Sequence, residues 1–230
     1  MKIVEPWIEV EKIDGIKIMK KIERACRTCY RSEENITEDS YKNLLKNCIN
    51  RGHESVLEHE KVTIRMYCDI GVYKDLTRHR FGSFSIESTR YCSYDKDKYG
   101  NEIKCINPAY IEDVKVYAEW KKAMEDMEKH YLEMKKLNAS TDMCRLVLPH
   151  STAAEVTMTA DIREWKHILE LRTSNHAHPA IRQLLIPLLK YFQKEMPEIF
   201  GCVEYDKDFK EEWYAELRFA PEVWFFYKTS

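Results

Sequence analysis

Glycine is scarce in this chain: the six, at positions 15, 52, 71, 82, 100 and 201, never fall into G-x-G-x-x-G or G-x-x-x-x-G-K-[ST] spacing. The close backbone approach to phosphate that a Rossmann unit or a P-loop needs is therefore excluded. Long apolar runs are missing as well. The longest, around Leu184 to Leu189, is interrupted by Pro187, and the first residues carry Glu5, Glu9 and Glu11. No membrane span or signal peptide is expected, and the cytoplasm is the expected compartment. Net charge is nearly absent: 37 Lys and Arg stand against 39 Asp and Glu, a balance of -2. That gives no general attraction for nucleic acid or for an anionic membrane surface. Eight cysteines in 230 residues are too few for a disulfide scaffold and read as small buried thiols. A metal is not expected, because Cys26-x-x-Cys29 has no second pair and His53 and His59 lack the i, i+4 spacing of a zinc helix. Repeats, low-complexity tracts and Gly/Ser linkers are lacking too, so residues 1–230 read as a single domain with one core.

What is present is helical periodicity. Ile16, Met19, Ile22, Cys26 and Cys29 predict a first helix; Tyr41, Leu44, Leu45 and Cys48 predict a second, capped by Thr37 and ending near Gly52. Val62, Ile64 and Met66 alternate with Lys61, Thr63 and Arg65, which predicts a half-buried strand, after which Asp69 caps a short helix running to Arg78. Phe84 to Tyr91 is expected to run extended, with Ser88 and Arg90 on one face and Glu87 on the other. Val116, Trp120, Met124, Met127, Tyr131, Met134 and Leu137 mark the longest helix, with large side chains suited to a core or a subunit contact. A helix from Thr141 stops at Pro149, and Glu155 to Ala160 alternates as a second strand. Asp161 caps a helix through Thr173, and Pro179 starts a last long helix that Pro187 should bend. Helices with a small, mainly antiparallel sheet place the chain in the α+β class.

Chemistry concentrates between Arg78-His79-Arg80 and Glu87-Ser88-Thr89-Arg90. Guanidiniums grip phosphate or carboxylate oxygens bidentately, and a hydroxyl can bond a ring, so this stretch suits an anionic, ring-containing ligand. Charges that merely offset a helix dipole are the plain alternative. A second set, Arg163, His167, Arg172 and His176, puts Arg163 and His167 on one helical face; a solvated face is as good a reading, and the shared Arg and His content favours a common pocket. Arg145, between Cys144 and Leu146-Val147-Leu148, is expected to be partly buried against an anionic partner such as a ligand phosphate. Arg clusters near Phe84, Tyr91 and Tyr94 also suit nucleic acid, a reading that the slightly acidic balance disfavours.

With Arg78-His79-Arg80 followed after seven residues by Ser88, the chain resembles the flavin-dependent thymidylate synthase family, whose signature is RHR-x7-S. Gly52-His53-Glu54-Ser55, Glu58-His59, Ser88-Thr89-Arg90-Tyr91, Arg145 to Pro149, Arg163, Leu171-Arg172 and His176-Ala177 follow in that family's order. The resemblance implies the family's own α+β fold. It implies methylation of dUMP to dTMP, with 5,10-methylenetetrahydrofolate as carbon donor and FAD passing hydride from NADPH. It further implies a homotetramer whose active sites are shared between subunits. Carried over by position, His53, Ser55, Arg78, His79, Arg80, Asp161, Arg163 and His167 look like FAD contacts. Asp75, Arg78, Glu87, Ser88, Thr89, Arg90, Arg145 and Arg172 look like dUMP contacts. The sequence departs from the family at Asp75, where Gln is familiar, at Asp161 and His167, where Asn is, and at Ile86-Glu87, which reverses a common polar-then-apolar order. A catalytically silent relative is the reading those departures leave open. Cysteine-dependent thymidylate synthases activate uracil through a Pro-Cys dipeptide, and none of the seven prolines here precedes a cysteine. The resemblance instead assigns ring activation to Arg172 and ring orientation to Ser88.

Overall fold

Two stretches of nine residues, Lys61–Asp69 and Ala153–Asp161, alternate apolar and polar side chains, and the computed structural model, which describes residues 1–94 and 102–220, pairs them antiparallel along their whole length. They form the middle of a five-stranded sheet. In chain order the strands are β1 (Lys2–Val4), β2 (Trp7–Val10), β3 (Lys61–Asp69), β4 (Ser83–Ile86), β5 (Lys104–Ile106), β6 (Ala153–Asp161) and β7 (Glu216–Phe219). The sheet order is β4-β6-β3-β2-β7, antiparallel except for the β2–β7 pair, while β1 and β5 make a separate parallel pair. Positions 221–230 of the aromatic tail lie outside the described residues.

The helices are α1 (Gly15–Thr28), α2 (Ser40–Asn50), α3 (Ile70–Leu76), α4 (Val114–Lys136), α5 (Thr141–Cys144), α6 (Ile162–Arg172), α7 (Pro179–Glu195) and α8 (Pro197–Phe200). One face of the sheet, carrying Val62, Ile64, Met66 and Cys68 of β3 and Val156, Met158 and Ala160 of β6, is buried in one cluster with Trp165 and Leu169 of α6 and Leu185, Leu189 and Phe192 of α7. Each such side chain withdrawn from water contributes about 1.5–3 kcal/mol before the entropy of ordering is subtracted. The N-terminus of α1 approaches the C-terminus of α7 so closely that a Cβ at Gly15 would meet the Glu195 carbonyl at 1.9 Å, which is why glycine stands there. At the other end of the α1–α2 hairpin, Gly52 has φ of 72°, and the Gly52 and His53 amides bond back to Ile49 and Cys48, closing α2 as a Schellman turn. Among the described residues no helix is long and apolar enough to cross a membrane.

Several local expectations shift. α2 begins at Ser40 after Asp39 rather than from a Thr37 cap, because the Ser40 hydroxyl takes the Thr37 amide and donates to buried Glu23. Ile16 and Cys29 face solvent, so the buried stripe of α1 is Met19, Ile22 and Cys26. Long α4 packs Met124, Met127 and Tyr131 into a second, smaller cluster with Ile103, Cys105 and Cys144, while Val116 and Leu137 stay exposed. α5 ends at Cys144 and a 3-10 turn over Arg145–Val147 carries the chain toward Pro149. α7 continues through Pro187 as one element.

Candidate active site

The ends of two helices meet here, and each helix is positioned by an aspartate. Asp69 accepts the Val72 amide at 2.7 Å and starts α3; Asp161 accepts the Glu164 amide at 2.8 Å and starts α6. After α3 the chain runs in consecutive tight turns, Arg78 N–H to Asp75 C=O, His79 N–H to Leu76 C=O, and Gly82 N–H to His79 C=O. This winding points His79 inward and leaves Arg78 and Arg80 exposed. Arg172, the last residue of α6, donates from Nε to His79 Nε2 at 3.1 Å and from Nη2 to the Asp75 carbonyl at 3.1 Å. On the other side of the imidazole, Nδ1 lies 3.3 Å from Glu164 Oε1, and the His167 ring meets it edge-on at 5.7 Å. The structure thus gathers Asp75, Arg78, His79, His167 and Arg172 around one helix junction, and leaves Asp161 at the opposite end of α6, beside Lys61 of β3.

Burial, then the Arg172 guanidinium and His167, push the His79 imidazole down from 6.5 to about 4, with Asp75 opposing. Above the ordinary value both folded and unfolded chains hold the ring neutral, so the full stability is present. As pH falls from there toward the folded value, the unfolded chain takes up a proton that the folded chain refuses. Stability contributed by this residue is lost across that window, by up to about 3 kcal/mol. Urea unfolding between about pH 7 and about pH 4.5 is expected to show a steeper loss for the wild type than for His79→Gln. Parallel curves would contradict the neutral buried imidazole.

His53, just before the neighbouring 3-10 turn Glu54–His59, and Ser55, within it, are both exposed, and that turn is tied to α6. Buried Lys166 bonds Glu54 at 3.0 Å, and Arg163 bonds Glu58 at 2.6 Å. Both contacts hold the turn on the same helix that carries Arg172.

Glu87, Ser88, Thr89, Arg90 and Arg145 form a second set. β4 ends at Ile86, and after the Glu87 amide bonds Glu155 C=O at 2.8 Å, the Tyr91 and Cys92 amides both turn back to the Ser88 carbonyl. Ser88 and Arg90 therefore sit on a turn and do not share a strand face, correcting the extended reading. Arg90 pairs with Asp142 at 2.8 Å, and Asp142 also feels Arg145. Arg145 is exposed rather than partly buried, beside exposed Met143 and Leu146, because its 3-10 turn lies over the surface with only Cys144 pointing in. No hydrogen bond or ion pair among the described residues connects this set with the helix-junction set.

Two clefts touch the two sets, the first through Asp75 and Arg78 and the second through Glu87. One of about 530 Å³ is lined by Lys74, Asp75, Arg78, Tyr110, Trp120 and His150, with His150 Nε2 3.0 Å from Lys74 Nζ. The other, of about 660 Å³, lies over the polar face of the sheet and is lined by Trp7, Tyr67, Glu87, Cys92, Tyr94 and Glu155. Sequence reading missed Lys74, Tyr110, Trp120 and His150 in the first cleft and Glu164 beside His79. The i, i+4 spacing of Lys74 and Arg78 in a helix expected to reach Arg78 was an available signal, although α3 ends at Leu76; Glu164 gave none, since a carboxylate in a first helical turn is ordinary. Arg78, Arg80 and Arg145 make no ion pair among the described residues, so three exposed guanidiniums are available to phosphate groups. That donor set, with aromatic rings in both clefts, fits a nucleotide monophosphate and a diphosphate-bearing cofactor. Among the described residues no group of three His, Cys, Asp or Glu is placed to hold a metal ion.

Residues 16–198 match the family model described as thymidylate synthase complementing protein. The flavin-dependent thymidylate synthase of Pyrococcus abyssi is 32% identical over 164 residues, 71% of this chain and 67% of that one. That of Mycobacteroides abscessus is 30% identical over 204 residues, 78% of this chain and 77% of its own. In fold, the chain is similar to the UMP/dUMP methylase PolB of Streptomyces cacaoi, solved with 5-Br dUMP, with a TM-score of 0.72 at 21% identity over 87% of this chain and 96% of that one. It is similar also to thymidylate synthase X of Helicobacter pylori, solved with FAD and dUMP, with a TM-score of 0.69 at 21% identity over 87% of this chain and 100% of that one.

Proposed function

The chain belongs to the flavin-dependent thymidylate synthase family, and from that premise we propose that it methylates dUMP to dTMP, with 5,10-methylenetetrahydrofolate as carbon donor and NADPH as reductant. The observation that carries the reading is the anchoring of Arg172. Its Nε and Nη2 are held by His79 and the Asp75 carbonyl, which leaves the Nη1 edge of a fixed guanidinium for a ligand. Set beside uracil, that edge would stabilise negative charge at N3 and O2, the charge that makes C5 nucleophilic, without a covalent bond to the enzyme.

The remaining residues divide the work. Arg78 and Arg145, with Arg90, supply positive charge for the monophosphate, and Asp75, Glu87 and Thr89 supply polar partners for sugar and base. Arg78 and Arg80, with Arg163, His53, Ser55, Asp161 and His167 along the α6 side, would hold FAD, and buried His79 shapes the floor beneath them. Bound FAD would supply the hydride that turns the transferred methylene into methyl. No hydrogen bond or ion pair joins the two sets among the described residues of one chain, and a homotetramer, in which the Ser88 turn of one subunit closes over the helix junction of another, would join them. Exposed Phe81, Tyr91 and Leu146, at 84, 78 and 81% exposure, are apolar surface that such closure would cover. The whole chain would act as one domain, in the cytoplasm.

Ser88 is read as orienting the ring. Its Oγ accepts the Arg90 amide at 3.3 Å, and among the described residues no histidine or carboxylate is hydrogen-bonded to it as a base. Ser88→Ala is expected to lower turnover by about tenfold and to keep it measurable. A folded variant with no turnover would point to a covalent serine. The direct test of the whole reading is release of tritium from C5-labelled dUMP, dependent on the folate, on NADPH and on bound flavin; retention of the label by yellow, folded protein would sink it.

A further inference from the structure

We propose that Glu164 is a positioning residue for Arg172, acting through His79: its carboxylate keeps the imidazole proton on Nδ1 and so leaves Nε2 as the acceptor that fixes the guanidinium. The inference deepens the reading of Arg172 given above and rests on it.

Hydrogen-bond capacity decides the argument. A guanidinium has N–H groups and no lone pair to offer, so the 3.1 Å contact from Arg172 Nε requires a lone pair on His79 Nε2. In a neutral ring the proton must then sit on Nδ1, and Nδ1 is the atom that faces Glu164 Oε1 at 3.3 Å. The opposite tautomer would set N–H against N–H at Arg172 and a lone pair against a carboxylate at Glu164. The doubly protonated ring would satisfy Glu164 and still oppose two donors at Arg172. Of the three states of the ring, only the one protonated at Nδ1 alone both offers a lone pair to Arg172 and turns its N–H toward the Glu164 carboxylate. Water is a poor substitute for either contact, because His79 is 6% exposed and Glu164 9%.

Backbone geometry makes the arrangement rigid. Glu164 and Arg172 belong to the same helix, with His167 between them against the ring, and Asp161 fixes the Glu164 amide at the helix start. The groups facing His79 are Glu164, His167 and Arg172 from α6 and Asp75 from α3. With Nε on the imidazole and Nη2 on the Asp75 carbonyl, the plane of the guanidinium cannot swing, and its free edge points one way.

The test uses FAD-loaded enzyme and two readouts, tritium release from C5-labelled dUMP and nitrogen NMR of isotope-labelled histidine. The wild type is expected to show His79 protonated at Nδ1 and bare at Nε2. Glu164→Gln should keep that tautomer, since its amide oxygen still accepts from Nδ1–H, and should keep turnover within a few-fold. Glu164→Ala should populate the Nε2–H form and lose about 10–100-fold in kcat, with a smaller change in KM for dUMP and with flavin absorbance retained. A wild-type ring protonated at Nε2 overturns the proposal without need of any variant. So does Glu164→Ala with wild-type tautomer and wild-type kcat. A wild type that releases no tritium would end the functional reading instead, while the NMR result would still decide the role of Glu164.

Discussion

Arg172→Ala is expected to cut turnover of dUMP by about 10²–10³-fold while leaving the flavin in place. The size follows from what is removed. A preorganised donor aimed at developing charge is worth about 3 kcal/mol in a site shielded from water. The loss should fall on kcat, because the charge on the pyrimidine develops during the reaction and is weak in the bound substrate. Stability should suffer little: the His79 ring and the Asp75 carbonyl each lose one partner, at about 1 kcal/mol apiece. Arg172→Lys is expected to be nearly as slow, since a single ammonium cannot bond the imidazole and the carbonyl together and still present an ordered edge. Tritium release measured alongside flavin absorbance separates loss of chemistry from loss of cofactor. Full turnover in the alanine variant would remove Arg172 from the mechanism.

Trp165→Ala is expected to cost about 3–5 kcal/mol of folding stability, a large share of what a domain of this size has to spare. Trp165 is 0% exposed, meets Phe192 of α7 edge-on at 6.3 Å, and donates from Nε1 to the Val62 carbonyl at 3.0 Å. Removing it opens a cavity between α6 and the sheet and leaves a buried strand carbonyl without its donor. Urea midpoints read the effect directly. Trp165→Phe should retain most of the packing and lose about 1–2 kcal/mol through the missing N–H. A loss under about 1 kcal/mol in the alanine variant would mean that α6 is held to the sheet by something other than this side chain.

What could be read from the sequence, and what could not, divides along physical lines. β3 was legible because Val62, Ile64 and Met66 alternate over enough residues to show a period; β1, β2, β5 and β7 have three or four residues each and show none. Asp69 and Asp161 were legible as caps because the chemistry of a helix start is local. The Ser88 turn was not, since Phe84-Ser85-Ile86 favours a strand and nothing in the residue types announces that two amides will turn back to one carbonyl. At the site, the motif spacing brought out Arg78, His79, Arg80 and Arg172 as charged or ionisable residues. It did not show that the backbone winds His79 inward while its two arginine neighbours face water. Nor did it show that Arg163 is bonded to Glu58 on the adjoining turn. Both are facts of tertiary placement, visible only once α3 and α6 are set end to end.

α6 carries its cap at Asp161, its core anchor at Trp165, its tether to the 54–59 turn at Lys166 and, at Arg172, the cation bonded to His79, all within one short rod. A helix advances about 1.5 Å and rotates about 100° per residue, so lengthening this rod by a single amino acid between Glu164 and Arg172 would swing the guanidinium off the imidazole. The stretch is therefore metric as well as chemical: its residue count fixes where the cation ends up.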